Sequence, residues 1–451
     1  MADHTDIAAF IRSDRERIFH QLSELVAFNS VHADQRQAAD LAAARDWVEA
    51  ALTQAGFEVK KYVTIDGSTT VIGTRRGNPD APTVLLYSHY DVVPIGNVAA
   101  WDSPPLQLTE RNSRWYGRGS ADCKGNLIMH LAALRAIDQH GGSDLNITMV
   151  VEGSEESGGQ GLSYLIQKQP KLFAADAILI ADAGNVQVGQ PSLTVALRGN
   201  ARVTVSVETL KAPVHSGMFG GAAPDAVLAL MTALTSLQDE FGRMQITGVD
   251  TSATWAGEDY DKDSFITDAQ LIDGAQVVGK PGEAIADAIW ARPSFAVTGF
   301  SSTPVADAFN VIAPRAQAVL DVRVPASLDP QEVAEEVSAH IRQAVPWGAE
   351  VDITIDDVNR GFETDPASPA LAELAACLSA AYNKSVSHIG MGATIPLTVQ
   401  LQDAHPAAEI AVFGIEEPQC TIHSANESVD PTEIENIAIA EALFLLRYAT
   451  R

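Results

Sequence analysis

Apolar residues recur at three- and four-residue spacings over 6–28 and again over 36–55, so two amphipathic helices are predicted to open the chain, the second stopped by Gly56. Short β-rich runs follow at 57–63, 69–74 and 83–88. A loop bearing Pro and Trp then leads to a helical stretch over 124–140, closed by Gly141-Gly142. The runs at 146–151 and 177–181 are apolar almost throughout, the pattern of strands covered on both faces of an α/β sheet. After Gln190-Pro191 the texture changes to alternating strands at 193–197 and 201–208, a helix over 225–239 and a strand at 317–324. The stretch 248–277 is polar, acidic and weakly periodic, an excursion within this second unit with no readable role. Beyond Gly361, a helix over 369–382, a strand at 409–414 and a last helix over 432–448 resume the texture of the beginning. The pattern therefore predicts an α/β domain built from 1–191 and 362–451, with a second domain, 192–361, inserted into it.

Composition narrows the class. A chain of 451 residues is long enough for two or three domains, and 46% apolar with 20% charged residues is an ordinary globular balance. Lys and Arg number 30 against 58 Asp and Glu, a formal charge of −28, which repels phosphate backbones and anionic lipid and argues against nucleic-acid or membrane partners. No apolar run approaches the ~20 residues of a membrane span, and the first residues offer no apolar core with a cleavage site. Three cysteines, Cys123, Cys377 and Cys420, are too sparse for a disulfide framework, so a cytoplasmic location is expected.

Candidate chemistry collects at the ends of the apolar runs. His89 and Asp91 follow the run at 83–88, Glu155 and Glu156 follow 146–151, and Asp182 follows 177–181. Asp122 stands between glycines just before a helix, and His423 returns from the far end of the sequence. In open α/β sheets, ligands gather beyond the carboxyl ends of strands. Taken singly, each residue has a plain structural explanation: a hydrogen-bonded His, a helix-capping Asp, a solvated acidic turn. Taken together, two imidazoles and three or four carboxylates without thiolates match a divalent site for Zn, Mn or Co.

In order and spacing these segments resemble the M20 metallopeptidases, nearest to their carnosinase and cytosolic dipeptidase branch. His89-Tyr90-Asp91-Val92-Val93-Pro94 is similar to the first metal motif of that family, residues 117–125 to the second, and Glu155-Glu156 to its paired glutamates. The resemblance implies a catalytic domain with a central mixed sheet flanked by helices, plus an inserted α+β lid or dimerisation domain. It also implies two divalent ions, zinc or alternatively Mn or Co. His89 and Asp182 would hold one ion and Glu156 and His423 the other, with Asp122 bridging. Glu155 would be the general base, Asp91 would orient His89, and the peptide after Asp122 would be cis.

His215-Ser216-Gly217 resembles the segment by which that branch reaches across a homodimer into the partner's site. Arg323 would clamp the substrate carboxylate, with Asn310 as a polar neighbour. Without the resemblance, His215 reads as structural and Arg323 as the partner of a surface acid. One segment departs from the branch: residues 390–396, Gly-Met-Gly-Ala-Thr-Ile-Pro, lack its Arg, leaving Thr394 to supply a hydroxyl and a backbone amide. The implied activity is hydrolysis of the amide bond of dipeptides or small peptides. An N-acyl-amino-acid or desuccinylase-type amidohydrolase is the alternative, and a non-catalytic binding protein on the same scaffold the third reading.

Overall fold

The computed structural model describes residues 4–392 and 395–449. The chain divides into two compact units, Met1–Val195 with Thr364–Ile389 and Pro396–Arg451, and Ala196–Glu363 with Gly390–Ile395.

The first unit is built on a mixed sheet. Its strands run in the order Glu58–Val63, Thr69–Arg75, Asn146–Glu152, Thr83–His89, Ala177–Ala181, Glu409–Phe413, Ser192–Leu197. The middle four are parallel neighbours, and the pairs on either side are antiparallel. All five residues of Ala177–Ala181 are buried, as the unbroken apolar run requires of a strand covered on both faces. Helix Lys124–Gln139 is also buried on nearly every side, and it packs on helices Arg15–Val26 and Pro431–Tyr448. Because the four central strands point the same way, the loops after His89, Glu152, Ala181 and Phe413 emerge at one end of the sheet.

The expected first helix is in fact two, His4–Ser13 and Arg15–Val26. The break falls at Asp14, whose carboxylate accepts from the Arg135 guanidinium at 2.8 Å. A short polar side chain that bonds sideways favours a helix end over its interior.

The second unit is a four-stranded antiparallel sheet in the order Ser294–Ser301, Arg315–Val324, Gly199–Glu208, Glu350–Asn359. Helices Ala226–Thr235 and Pro330–Ala344 cover one face, meeting Val203, Val205, Leu320 and Val322 in a shared core. Burial alternates along Arg315–Val324 as the period of two demands. The helix expected over 225–239 stops at Thr235. Beyond it Asp239 turns the chain, its carboxylate accepting from the N–H groups of Phe241 and Arg243. Within 248–277 the only helix among the described residues is Lys262–Asp268.

Among the described residues no helix is long and apolar enough to cross a membrane. Cys123, Cys377 and Cys420 are buried free thiols.

Candidate metal centre

His89 is the last residue of its strand and is fully buried. Its Nδ1 lies 3.0 Å from the Asp91 carbonyl and 3.5 Å from that residue's carboxylate. On the other side of the ring, Nε2 lies 3.1 Å from Asp122 Oδ1 and 3.2 Å from Asp182 Oδ1. Asp122 turns its second oxygen to another imidazole: His423 Nε2 is 3.0 Å from Asp122 Oδ2 and 3.1 Å from Glu156 Oε2. One carboxylate thus stands between two histidines that are 334 positions apart in the chain.

Each side chain owes its place to local structure. The Asp122–Cys123 peptide is cis, at the start of helix Lys124–Gln139. The turn before it is gathered by the buried Glu427 carboxylate, which accepts from the N–H groups of Gly119, Ala121 and Asp122 and from Arg118. Asp182 leaves its strand with its N–H donating to the Phe413 carbonyl at 3.1 Å. His423 sits at φ +61°, in a left-handed turn that brings the ring back over the carboxylates. Glu155 and Glu156 both donate backbone N–H groups to Asp91, at 3.1 Å each, so one buried carboxylate fixes the pair and faces His89 as well.

This concentration of acid in a buried place strains its own protonation balance. Burial, reinforced by the Asp182 charge, holds the Glu155 carboxyl well above the usual carboxylate range. Burial also raises Glu156, and pushes Glu152 up to about 8. His423 is raised as well, to about 10, because Asp122 and Glu156 bond its proton. Carboxylates crowded at this density call for cations, and two imidazolium protons are poor substitutes for them. Glu156 Oε1 is a buried oxygen without a hydrogen-bond partner.

Donor atoms of His89, Asp122 and Glu156 lie within 4.8 Å of one another, as do those of Asp122, Asp182 and Glu416. Cys123 lies close too, but its thiol donates to the Ala181 carbonyl at 3.1 Å and burial pushes it up to about 12, so it stays protonated. The donor set is nitrogen and oxygen, which fits a hard to borderline divalent ion.

The structure therefore brings together His89, Asp91, Asp122, Glu155, Glu156, Asp182 and His423. Two further acids belong to the assembly and were not singled out in the sequence. Glu416, raised by burial and by Asp122, follows strand Glu409–Phe413 by the same strand-end rule that marks Glu155. Glu427 is held under the turn that presents Asp122.

The remaining candidates lie in the second unit. His215 is exposed, pairs with Val311 across a two-residue ladder, and accepts the Gly217 N–H at Nδ1, 3.1 Å away. Asn310 is tied to the same turn, its carbonyl accepting from the Ser216 N–H at 2.9 Å. Arg323 donates to Asp321 Oδ2 at 2.9 Å and to the Gly392 carbonyl at 3.3 Å. Thr394 lies outside the described residues. Gly390, which opens the segment lacking the expected Arg, is pressed against Trp290, where a Cβ would come within 2.5 Å of the indole.

Comparison with known proteins places this geometry in context. The profile of peptidase family M20/M25/M40 matches residues 85–447. A cysteinylglycine-S-conjugate dipeptidase of Corynebacterium striatum is 51% identical over 437 residues, 96% of each chain. The Cys-Gly metallodipeptidase DUG1 of Saccharomyces cerevisiae is 24% identical over 94% of each chain. Among solved structures, human carnosine dipeptidase 1 superposes with a TM-score of 0.80 at 21% identity, covering all of both chains, a likeness of fold.

Proposed function

The chain belongs to peptidase family M20/M25/M40, and from that premise we propose that it is a metal-dependent dipeptidase cleaving the amide bond of small peptides. The observation that carries the reading is Asp122, whose two oxygens address two different imidazoles with Asp182 and Glu156 alongside. That arrangement suits two divalent ions sharing a carboxylate, one on His89 and Asp182 and the other on Glu156 and His423. Zinc fits the donor set, with Mn or Co as alternatives. Such ions would supply Lewis acidity toward the scissile carbonyl and lower the pKa of water toward neutrality.

The chain's own groups do the rest. Glu155, kept basic by burial, takes a proton from the attacking water as the C–O bond forms. It hands that proton to the amine nitrogen as the C–N bond breaks. Asp91 fixes the backbone of Glu155 and the ring of His89, so neither needs to reorganise during the step.

The finer assignments draw on the resemblance. His215 of a partner subunit donates to the developing oxyanion, while Arg323, Asn310 and Thr394 hold the substrate carboxylate. Homodimer formation is supported by exposed Met218, Phe219, Leu228 and Phe309, apolar side chains clustered in sequence around His215 and Asn310. Free, unbridged thiols fit a reducing cytoplasm.

The similarity to an enzyme of cysteinylglycine S-conjugates makes S-benzyl-cysteinylglycine the first substrate to try. Rates on that peptide, on β-alanyl-histidine and on N-acetyl-S-benzyl-cysteine, with and without divalent metal, test the proposal. Dipeptide cleavage that chelation abolishes is the expected result. Faster turnover of the N-acyl compound would transfer the protein to the amidohydrolase reading, and full activity after exhaustive chelation would end the metal hypothesis.

A further inference from the structure

The acidic excursion 248–277, to which neither the sequence pattern nor the peptidase reading gives a task, helps wall a hollow inside the second unit. One cavity, partly open to solvent, measures about 310 Å³ and is lined mainly by apolar side chains, among them Phe265, Leu271, Val277, Ile285 and Ile289. It shares Arg243, Ala275, Gln276, Val277, Val278 and Ile285 with an adjoining compartment of about 450 Å³, which adds Tyr260, Lys262 and Lys280. The apolar space alone is roughly twice the ~150 Å³ that accommodates benzene in an apolar core, and it lies at the lower end of ligand-pocket sizes.

Residues 253–260, of which Asp259 and Tyr260 line the larger compartment, are tied to the chain at 286–292. Asp259 accepts from the Ala286 N–H at 3.0 Å, Asp287 from the Trp255 N–H at 2.7 Å, and Arg292 donates to the Ala253 carbonyl at 2.6 Å. Tyr260 stacks on Trp290, and Trp255 meets the same indole edge-on, 5.2 Å between centroids.

The charge distribution at the mouth is specific. Arg243 donates to Glu283 at 3.0 Å, and its guanidinium crosses the chain at Gly279, where a Cβ would come within 2.1 Å. Glu283 is shared with Arg292, so one carboxylate serves two guanidiniums. Asp259 is occupied by backbone N–H groups. Lys262 and Lys280 form no ion pair among the described residues; Lys280 rests over the Phe241 ring at 5.5 Å. Against Asp259 and Glu283, the cations Arg243, Lys262 and Lys280 leave this lining with a positive excess, which favours an anion.

We propose that this cavity binds a small amphipathic carboxylate, with an acyl or aryl body in the apolar compartment and the carboxylate in the adjoining one between Arg243, Lys262 and Lys280. Two sources share that chemistry: a free medium-chain carboxylic acid, and a hydrophobic or S-substituted amino acid released by peptide hydrolysis. Calorimetric titration of the full chain with octanoate, octanol and S-benzylcysteine reads binding without turnover, and a cavity variant, Ala275→Trp, separates binding here from binding of a product at the peptidase site.

Octanoate is expected to bind saturably and more tightly than octanol. Ala275→Trp, at the exposed lip, should plug the entrance and weaken binding by about tenfold or more, and Arg243→Met should erase the preference for the carboxylate. S-benzylcysteine binding that is tighter than octanoate binding and that Ala275→Trp weakens assigns the site to hydrolysis products, and tighter octanoate assigns it to free acids. Absence of saturable octanoate binding, or binding that both variants leave unchanged, overturns the proposal.

Discussion

The two adjacent glutamates, to which the proposal gives different duties, have their backbones fixed by one carboxylate. Asp91 takes the N–H of both Glu155 and Glu156, while His423 engages only Glu156. In the proposed assignment, Glu156 belongs with the metal ligands and Glu155 handles protons. Glu155→Ala should lower kcat by about 10²- to 10⁴-fold, the range for loss of a general base, with bound metal unchanged by elemental analysis. A fall in metal content of the same size would make Glu155 a ligand instead. Asp91→Asn keeps the shape but offers a single acceptor oxygen and no charge toward His89. It should weaken metal affinity by about 10- to 100-fold in a competition titration with a chelating dye. Wild-type affinity in that variant would show that the loop needs no help from Asp91.

At the scale of elements, four parallel strands deliver the site and a few polar pins hold the loops that leave them. One such pin is Asp66, which accepts from Thr64, from the Ser68 and Gly161 N–H groups and from Ser154, just before the paired glutamates. Partial burial raises its carboxyl, but the hydrogen bonds from Thr64, Ser68 and Ser154 outweigh that and hold it down to about 2. The folded value lies below the unfolded one, so this charge stabilises the protein above about pH 4 and the benefit is lost as pH falls toward 2. Melting temperatures of wild type and Asp66→Asn should converge across that window; parallel curves would remove Asp66 from the account.

The same scale shows what the sequence could disclose. His89, Asp182 and the glutamate pair were legible because each follows an apolar run that can only be a covered strand. Glu427 was not, since its burial depends on a turn some 300 residues earlier closing over it. The strand Glu350–Asn359 escaped notice because it is a half-exposed edge whose residues never form an apolar run. The break at Asp14 depends on Arg135, a partner more than 120 positions away, which no local periodicity reports.

For the whole molecule, the decisive question is whether one subunit completes another's site. The residues assigned to chemistry fall into two sets by unit: the metal cluster and Glu155 in the first, His215, Asn310 and Arg323 in the second. If His215 acts in trans, His215→Ala and Glu155→Ala fail for different reasons, and each can supply what the other lacks. Refolded or co-expressed together, the two inactive chains should assort at random, leaving half of the dimers mixed with one intact site in each. Activity should then return to about a quarter of wild type, a value that symmetry alone fixes. Substituting Asp at exposed Met218 or Phe219 should produce monomers by sedimentation and abolish the rescue, because a charge in the apolar patch opposes association. A mixture that stays inactive while the dimer persists would mean that His215 serves its own subunit, and the oxyanion role would then have to be met within one chain.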